Sequence, residues 1–221
     1  MALRRRRRRE QEGGEVDAVP SPEPPQDEQP GKTPRPDGPF DSTEVDQAST
    51  AGRVDLGGLQ LRLGEAMKLQ LQIDERSGTG TGVVIVDGEA AVAMIAVAAP
   101  RSSGLWDQTR AQIAADTTRR GGTVQEAAGP FGTELRLVVP VTTQDGKKAV
   151  QVSRVAGIDG PRWMLRATFL GTANTDATMF ARLVKVVRNT VVVRGDRPMA
   201  PGDVIALTAP RQTGHEPSTA G

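Results

Sequence analysis

Residues 157–171 read GIDGPRWMLRATFLG, a tight turn followed by a strict alternation. Asp159-Gly160-Pro161 is turn chemistry: an acid that tolerates or caps unusual backbone, a glycine that supplies freedom, and a proline that fixes φ where the next strand begins. Successive strand residues point to opposite faces, so Trp163, Leu165, Ala167 and Phe169 share one face while Arg162, Met164, Arg166 and Thr168 share the other. The first set reads as core. The second sets two arginines on a face of their own.

Working outward, the same period-two pattern recurs. MKLQLQI at 67–73 alternates Met67, Leu69, Leu71 and Ile73 with Lys68, Gln70 and Gln72, a strand with one buried and one wet face. GVVIVDGEAAVAMIAVAAP reads as two strands joined at Asp87-Gly88, and TELRLVVPVTTQDGKKAVQVSRVAG as two more joined at Asp145-Gly146, both dipeptides suited to tight hairpins. Further short strands are expected in TVVVRG and DVIALTAP. Two helices interrupt this pattern. The first is predicted from about Gly104 to Arg120, with Ser102 or Ser103 as cap, Leu105, Thr109 and Ile113 at four-residue intervals, and a stop at Gly121-Gly122. The second is capped by Asn174 or Thr175 and carries Phe180, Leu183, Val184 and Val187 along one face. Hairpin-linked strands with two helical insertions imply an α+β fold, a single antiparallel sheet with its helices packed mainly on one face.

Composition divides the chain. From Met1 to Gly52 the only large apolar residues are Met1, Leu3, Val16, Val19, Phe40 and Val45, too few to offset chain entropy, so residues 1–52 are expected to be a disordered arm. Residues 53–210 are expected to form one α+β domain and 211–221 a disordered tail. Charge follows the same division. Residues 4–9 are six arginines; residues 10–52 hold eleven Asp or Glu against Lys32 and Arg35, a net charge of −9; the remainder is +4, from twenty Lys or Arg against sixteen Asp or Glu. There is no cysteine, which excludes disulfides, thiolate chemistry and zinc fingers. No apolar segment follows the arginine run and no stretch reaches the length of a membrane span, so a cytoplasmic location is expected.

Catalytic chemistry finds little support. SGTGTG at 77–82 lacks the Lys-Ser or Lys-Thr of a phosphate loop and leads into a strand, so it reads as a connection. The single histidine, His215, lies in the polar tail, which removes a Ser-His-Asp triad and any two-histidine metal site. No Asp-x-Asp cluster points to a carboxylate site, and there is no tyrosine. Neither a catalytic residue, a metal nor a cofactor is expected. Trp106, between Arg101 and Arg110, reads as a staple onto the sheet in preference to a ligand platform. Arg162 and Arg166, joined by Arg154 on the neighbouring strand and with Arg101 nearby, either cover the sheet with their stems or form a cationic patch for an anionic ligand or an acidic partner. The chain's own acidic stretch, 10–52, is one candidate for such a segment. The run Arg4, Arg5, Arg6, Arg7, Arg8 and Arg9 supports three roles: phosphate binding to nucleic acid, contact with an anionic membrane face, or non-specific solubility.

APRSSGLWDQTRAQI, GGTVQEAAGPFGTEL, GIDGPRWMLRATFLGTA and VVVRGDRPMAPGDVIAL together resemble the actinobacterial family known as domain of unknown function 3710, over about residues 53–210. The resemblance implies an actinobacterial cytoplasmic protein and carries no catalytic residue. The order of strands and helices is also similar to the PsbP and Mog1-like fold, whose members are largely binding and assembly factors. The expectation is a non-enzymatic binding or adaptor protein that engages a protein partner through Arg154, Arg162 and Arg166. A nucleic-acid-associated factor using residues 4–9 is the alternative, and a protein acting on or binding an anionic nucleotide ranks third.

Overall fold

Period-two alternation becomes seven long strands in the computed structural model, which describes residues 37–46, 51–101, 104–143 and 145–210. The arginine run, most of the acidic stretch, Ser102, Ser103 and the tail with His215 lie outside the described residues. In chain order the elements are β1 (Phe40–Asp41), β2 (Val54–Asp55), β3 (Leu59–Leu61), β4 (Lys68–Ile73), β5 (Gly80–Asp87), β6 (Ala90–Ala98), α1 (Trp106–Arg119), β7 (Thr123–Gly129), β8 (Gly132–Thr142), β9 (Lys148–Gly160), β10 (Trp163–Gly171), α2 (Ala177–Arg188) and β11 (Val191–Val192), with a 3-10 turn over Thr172–Asn174. Seven of them form an antiparallel sheet in the order β4-β5-β6-β10-β9-β8-β7. The expected hairpins close where the turn dipeptides stand, and the unforeseen β7 completes one edge. Among the described residues no helix is long and apolar enough to cross a membrane.

The expectation of a single sheet is corrected: a second, four-stranded sheet runs β1-β11-β3-β2, with β1 and β11 parallel. Its strands are two or three residues long, too short to print a periodicity. Its first strand lies in the stretch assigned to the disordered arm, so the boundary at residue 52 is also corrected. Proline and acid dominate that stretch, but Asp41 is buried and accepts a hydrogen bond from Trp163 Nε1 at 2.7 Å. One specific buried polar contact and the ladder to β11 do what bulk hydrophobicity does elsewhere.

The two faces of the large sheet are built differently. Trp163, Leu165, Ala167 and Phe169 are fully buried on the first, beside Met94 and Val92 of β6 and Val83 and Ile85 of β5. α2 packs here with Leu183, Val184 and Val187 buried and the Phe180 ring edge-on to Phe169, as its spacing predicts. Asp176 caps it, accepting from Thr178 and Met179 backbone N–H; Asn174, an expected cap, instead donates to the carbonyls of Val152, Phe169 and Gly171.

α1 lies on the opposite face, which corrects the expectation that both helices share one. Trp106 packs with Leu135, Leu137, Val155 and Met164, and Met164 alternates with the core residues Trp163 and Leu165. Gly157 provides the room: a Cβ there would overlap the Trp106 ring. Asp159 of the opening turn reaches over to cap α1, accepting from the backbone N–H of Leu105 at 2.7 Å and of Trp106 at 3.2 Å. A carboxylate at a helix N-terminus meets both the orphan amides and the helix dipole. The Trp106 indole N–H donates to the Thr133 carbonyl at 2.8 Å. α1 covers β7, β8 and β9. Among the described residues, no helix covers the half of this face formed by β4, β5, β6 and the far end of β10.

Candidate functional site

On the open half-face the side chains are half-buried where their neighbours in sequence are fully buried. Val84, Val86, Ala91, Ala93, Ile95, Thr168 and Leu170 lie there, level across the strands through the pairs Val84↔Ala93, Val86↔Ala91, Thr168↔Ala93 and Leu170↔Ala91. Exposed Lys68, Gln70 and Gln72 of β4 form a polar margin. An apolar centre with a polar rim is the anatomy of a protein-binding surface.

Arg166 is set among these groups, opposite Ile95 of β6 and Gly157 of β9. Burial holds its guanidinium below the usual arginine value, the direction expected when a cation loses water. The Arg166 side chain takes part in none of the ion pairs or hydrogen bonds found among the described residues. Among the described residues it is a partly desolvated cation without a counter-charge.

The other three predicted arginines separate from it. Arg154 sits opposite Phe169, on the closed face, where its Nε lies 3.1 Å from Glu134 Oε1 and its guanidinium 4.2 Å from the centre of the Phe180 ring. Arg136 Nε takes the same carboxylate oxygen at 3.3 Å. Arg154 is therefore committed to a buried cluster. Arg162 is a turn residue in the left-handed conformation, φ +63°, and its carbonyl accepts from Ala99 N–H. Arg101 is exposed just beyond Ala99. Arg101 and Arg162 thus stand at one end of the sheet, with Arg166 further along β10.

A second charged surface escaped the sequence reading. Arg182, Lys185 and Arg188 recur every three residues along α2, and Arg53 and Arg62 come alongside. Burial, and secondarily the charge of Arg62, keep the Arg53 guanidinium below its usual value; it donates to the Asn189 carbonyl. Arg182 is paired with Asp87 at 2.7 Å, and Arg188 lies 5.9 Å from the Phe131 ring centre. Clefts of about 580 and 300 Å³ flank the helix, the first lined by Phe40, Pro130 and Phe180, the second by Arg62 and Met67, and Lys185 borders both. The i, i+3 spacing of three cations was visible, but it also fits a helix whose C-terminal dipole welcomes positive charge.

The buried or capping carboxylates already have work. Asp41 holds Trp163 and Thr43, Asp159 caps α1, Asp87 pairs with Arg182, and Glu134 joins Arg136 to Arg154. These arrangements present an apolar face with one cation that has no counter-charge among the described residues, and a basic helix flank. The model of a family described as a protein of unknown function (DUF3710) matches residues 38–216, so the match includes β1, outside the stretch by which the sequence resembles that family. No curated protein matches the chain.

Proposed function

The chain belongs to the DUF3710 family of proteins of unknown function, and from that premise we propose that it is a non-enzymatic, cytoplasmic binding protein that engages a protein partner through the open half-face around Arg166. One observation carries the reading: Arg166 is partly desolvated, lies among apolar side chains and has no counter-charge among the described residues. The complementary partner element presents an apolar stripe with one Asp or Glu placed to take the guanidinium bidentately. Removing one member of such an interfacial pair costs roughly 2–5 kcal/mol, about 30-fold or more in affinity.

The test is site-specific photo-crosslinking in cells of the source organism, with the photoreactive residue at Thr168 or Ala93 and a control at Gln112 on α1. A discrete adduct from the two sheet positions, absent from Gln112 and lost with Arg166→Glu, is the expected result. Adducts indifferent to Arg166→Glu, or equal from all three positions, overturn the reading.

A second reading is favoured by the basic flank of α2: association with nucleic acid through Arg53, Arg62, Lys185 and Arg188, supplemented by the Arg4–Arg9 run. Its signature is a steep loss of affinity for a DNA or RNA duplex with rising salt, with a slope that falls by nearly one for each phosphate-contacting cation removed. A flat salt response rejects it.

A further inference from the structure

The β8–β9 hairpin outruns its neighbours. β7 accompanies β8 only as far as Val138, and β10 accompanies β9 only from Arg154 onward. Among the described residues, from Val139↔Gln151 to Thr142↔Lys148 the two strands are paired with each other alone. An isolated two-stranded ribbon is marginal in water, yet this one exposes apolar side chains. Val138 is 37% exposed, Val152 45% and Val150 65%. With exposed Pro140 they form one stripe, through the pairs Val138↔Val152 and Pro140↔Val150. Only Ile73 and Val204 are comparably exposed large apolar residues elsewhere among the described residues.

The two free edges are unequal. Asn174 Nδ2 reaches the Val152 carbonyl from the outer side of β9 at 3.2 Å, which sets the phase of that edge: by the two-residue period, the N–H and C=O of Val150 and Lys148 also point outward. The opposite phase on β8 turns the nitrogen of Pro140 to its own outer side. There the missing N–H costs no ladder bond and blunts the edge against pairing. β9 is guarded only at the two ends of this stretch, by Lys148 and by Asn174 on the Val152 carbonyl; from Ala149 to Gln151 it has no proline, no bulge and no charged side chain.

We propose that this edge of β9 pairs antiparallel with the same edge of a second copy of the chain, about a two-fold axis at Val150. The segment Lys148-Ala149-Val150-Gln151-Val152 is compatible with itself in that arrangement. Val150 meets Val150, Lys148 meets Val152 as the exposed Asn174 amide gives up the Val152 carbonyl, and no like charges oppose one another. Each copy covers the flank of the other's most exposed valine, and the two apolar stripes become continuous. The ribbon is small, so the dimer is weak and depends on concentration.

The experiment is sedimentation velocity of the full chain over about two decades of concentration, into the hundreds of micromolar. The chain has no cysteine, so Val150→Cys introduces a unique thiol for a short bismaleimide, and Ile73→Cys provides an exposed control. The expected results are a reversible monomer–dimer equilibrium, efficient cross-linking through Val150→Cys alone, and a loss of dimer of at least tenfold in association constant with Val150→Glu while the thermal midpoint holds. A chain that stays monomeric throughout, a dimer indifferent to Val150→Glu, or equal cross-linking from Ile73→Cys overturns the proposal. Val150-specific adducts to a different protein from a monomeric chain overturn it as well, assigning the edge to another partner.

Discussion

The two faces of β10 differ more than alternation alone would make them. On one, Trp163, Leu165, Ala167 and Phe169 meet α2 and the small sheet and lose all contact with water. On the other, Met164 is covered by Trp106, but Arg166, Thr168 and Leu170 are only half-buried by their neighbours. One strand thus serves as core on one side and as surface along most of the other. The contrast separates residues whose replacement should cost stability from residues whose replacement should cost binding.

Trp163→Ala strikes the closed face hardest. It opens a large cavity and takes the indole N–H away from the buried Asp41 Oδ2, and about 3–5 kcal/mol of stability should vanish in urea titration. A loss below 1 kcal/mol would mean that the closed face is not the core. Gly157→Ala comes next, since its Cβ drives into the Trp106 ring; overpacking of roughly 1–3 kcal/mol should appear in the same titration, with Trp106 fluorescence reporting the displacement of α1. Asp159→Ala removes the cap that the β9–β10 turn supplies, for about 1 kcal/mol, and hydrogen exchange should rise first at Leu105 and Trp106. Smallest is Arg166→Met, which trades an unpaired, partly desolvated cation for an apolar chain of similar length: a change within about 0.5 kcal/mol, of either sign, but a marked loss of photo-crosslinked partner. A large destabilisation there would erase the distinction between the faces.

The local signals translated faithfully where they were long. The alternation in β4, β5, β6, β8, β9 and β10 was legible, as were the Asp87-Gly88 and Asp145-Gly146 turns and the apolar face of α2. Both tryptophans were readable as packing residues. β7 was missed because Thr123–Gly129 is short of large apolar side chains, and β1 because its setting is acidic and proline-rich. Of the site, Arg166 was legible as an arginine on the non-core side of its strand. Its lack of a counter-charge was not, since that depends on which acids the fold brings near.

The fate of Arg154 shows where local reading ends. A turn of two residues, Pro161 and Arg162, pairs Gly160 with Trp163, so even-numbered residues of β9 face odd-numbered residues of β10. Arg154 and Arg166, both even, must then point to opposite faces. That outcome hangs on one residue of turn length, which the chemistry of Asp-Gly-Pro left open. The sequence by itself determined which residues of each long strand travel together, because a strand's period is a property of its own backbone. It also determined that β9 and β10 fold back as a hairpin, because turn preferences act over four residues. Only the tertiary structure decided that α1 and α2 lie on opposite faces, that Asp159 caps a helix more than fifty residues earlier, and that, among the described residues, half of one sheet face is open with an unpaired arginine in it. Those are relations between segments far apart in sequence, chosen by the packing of the whole and written in no single stretch.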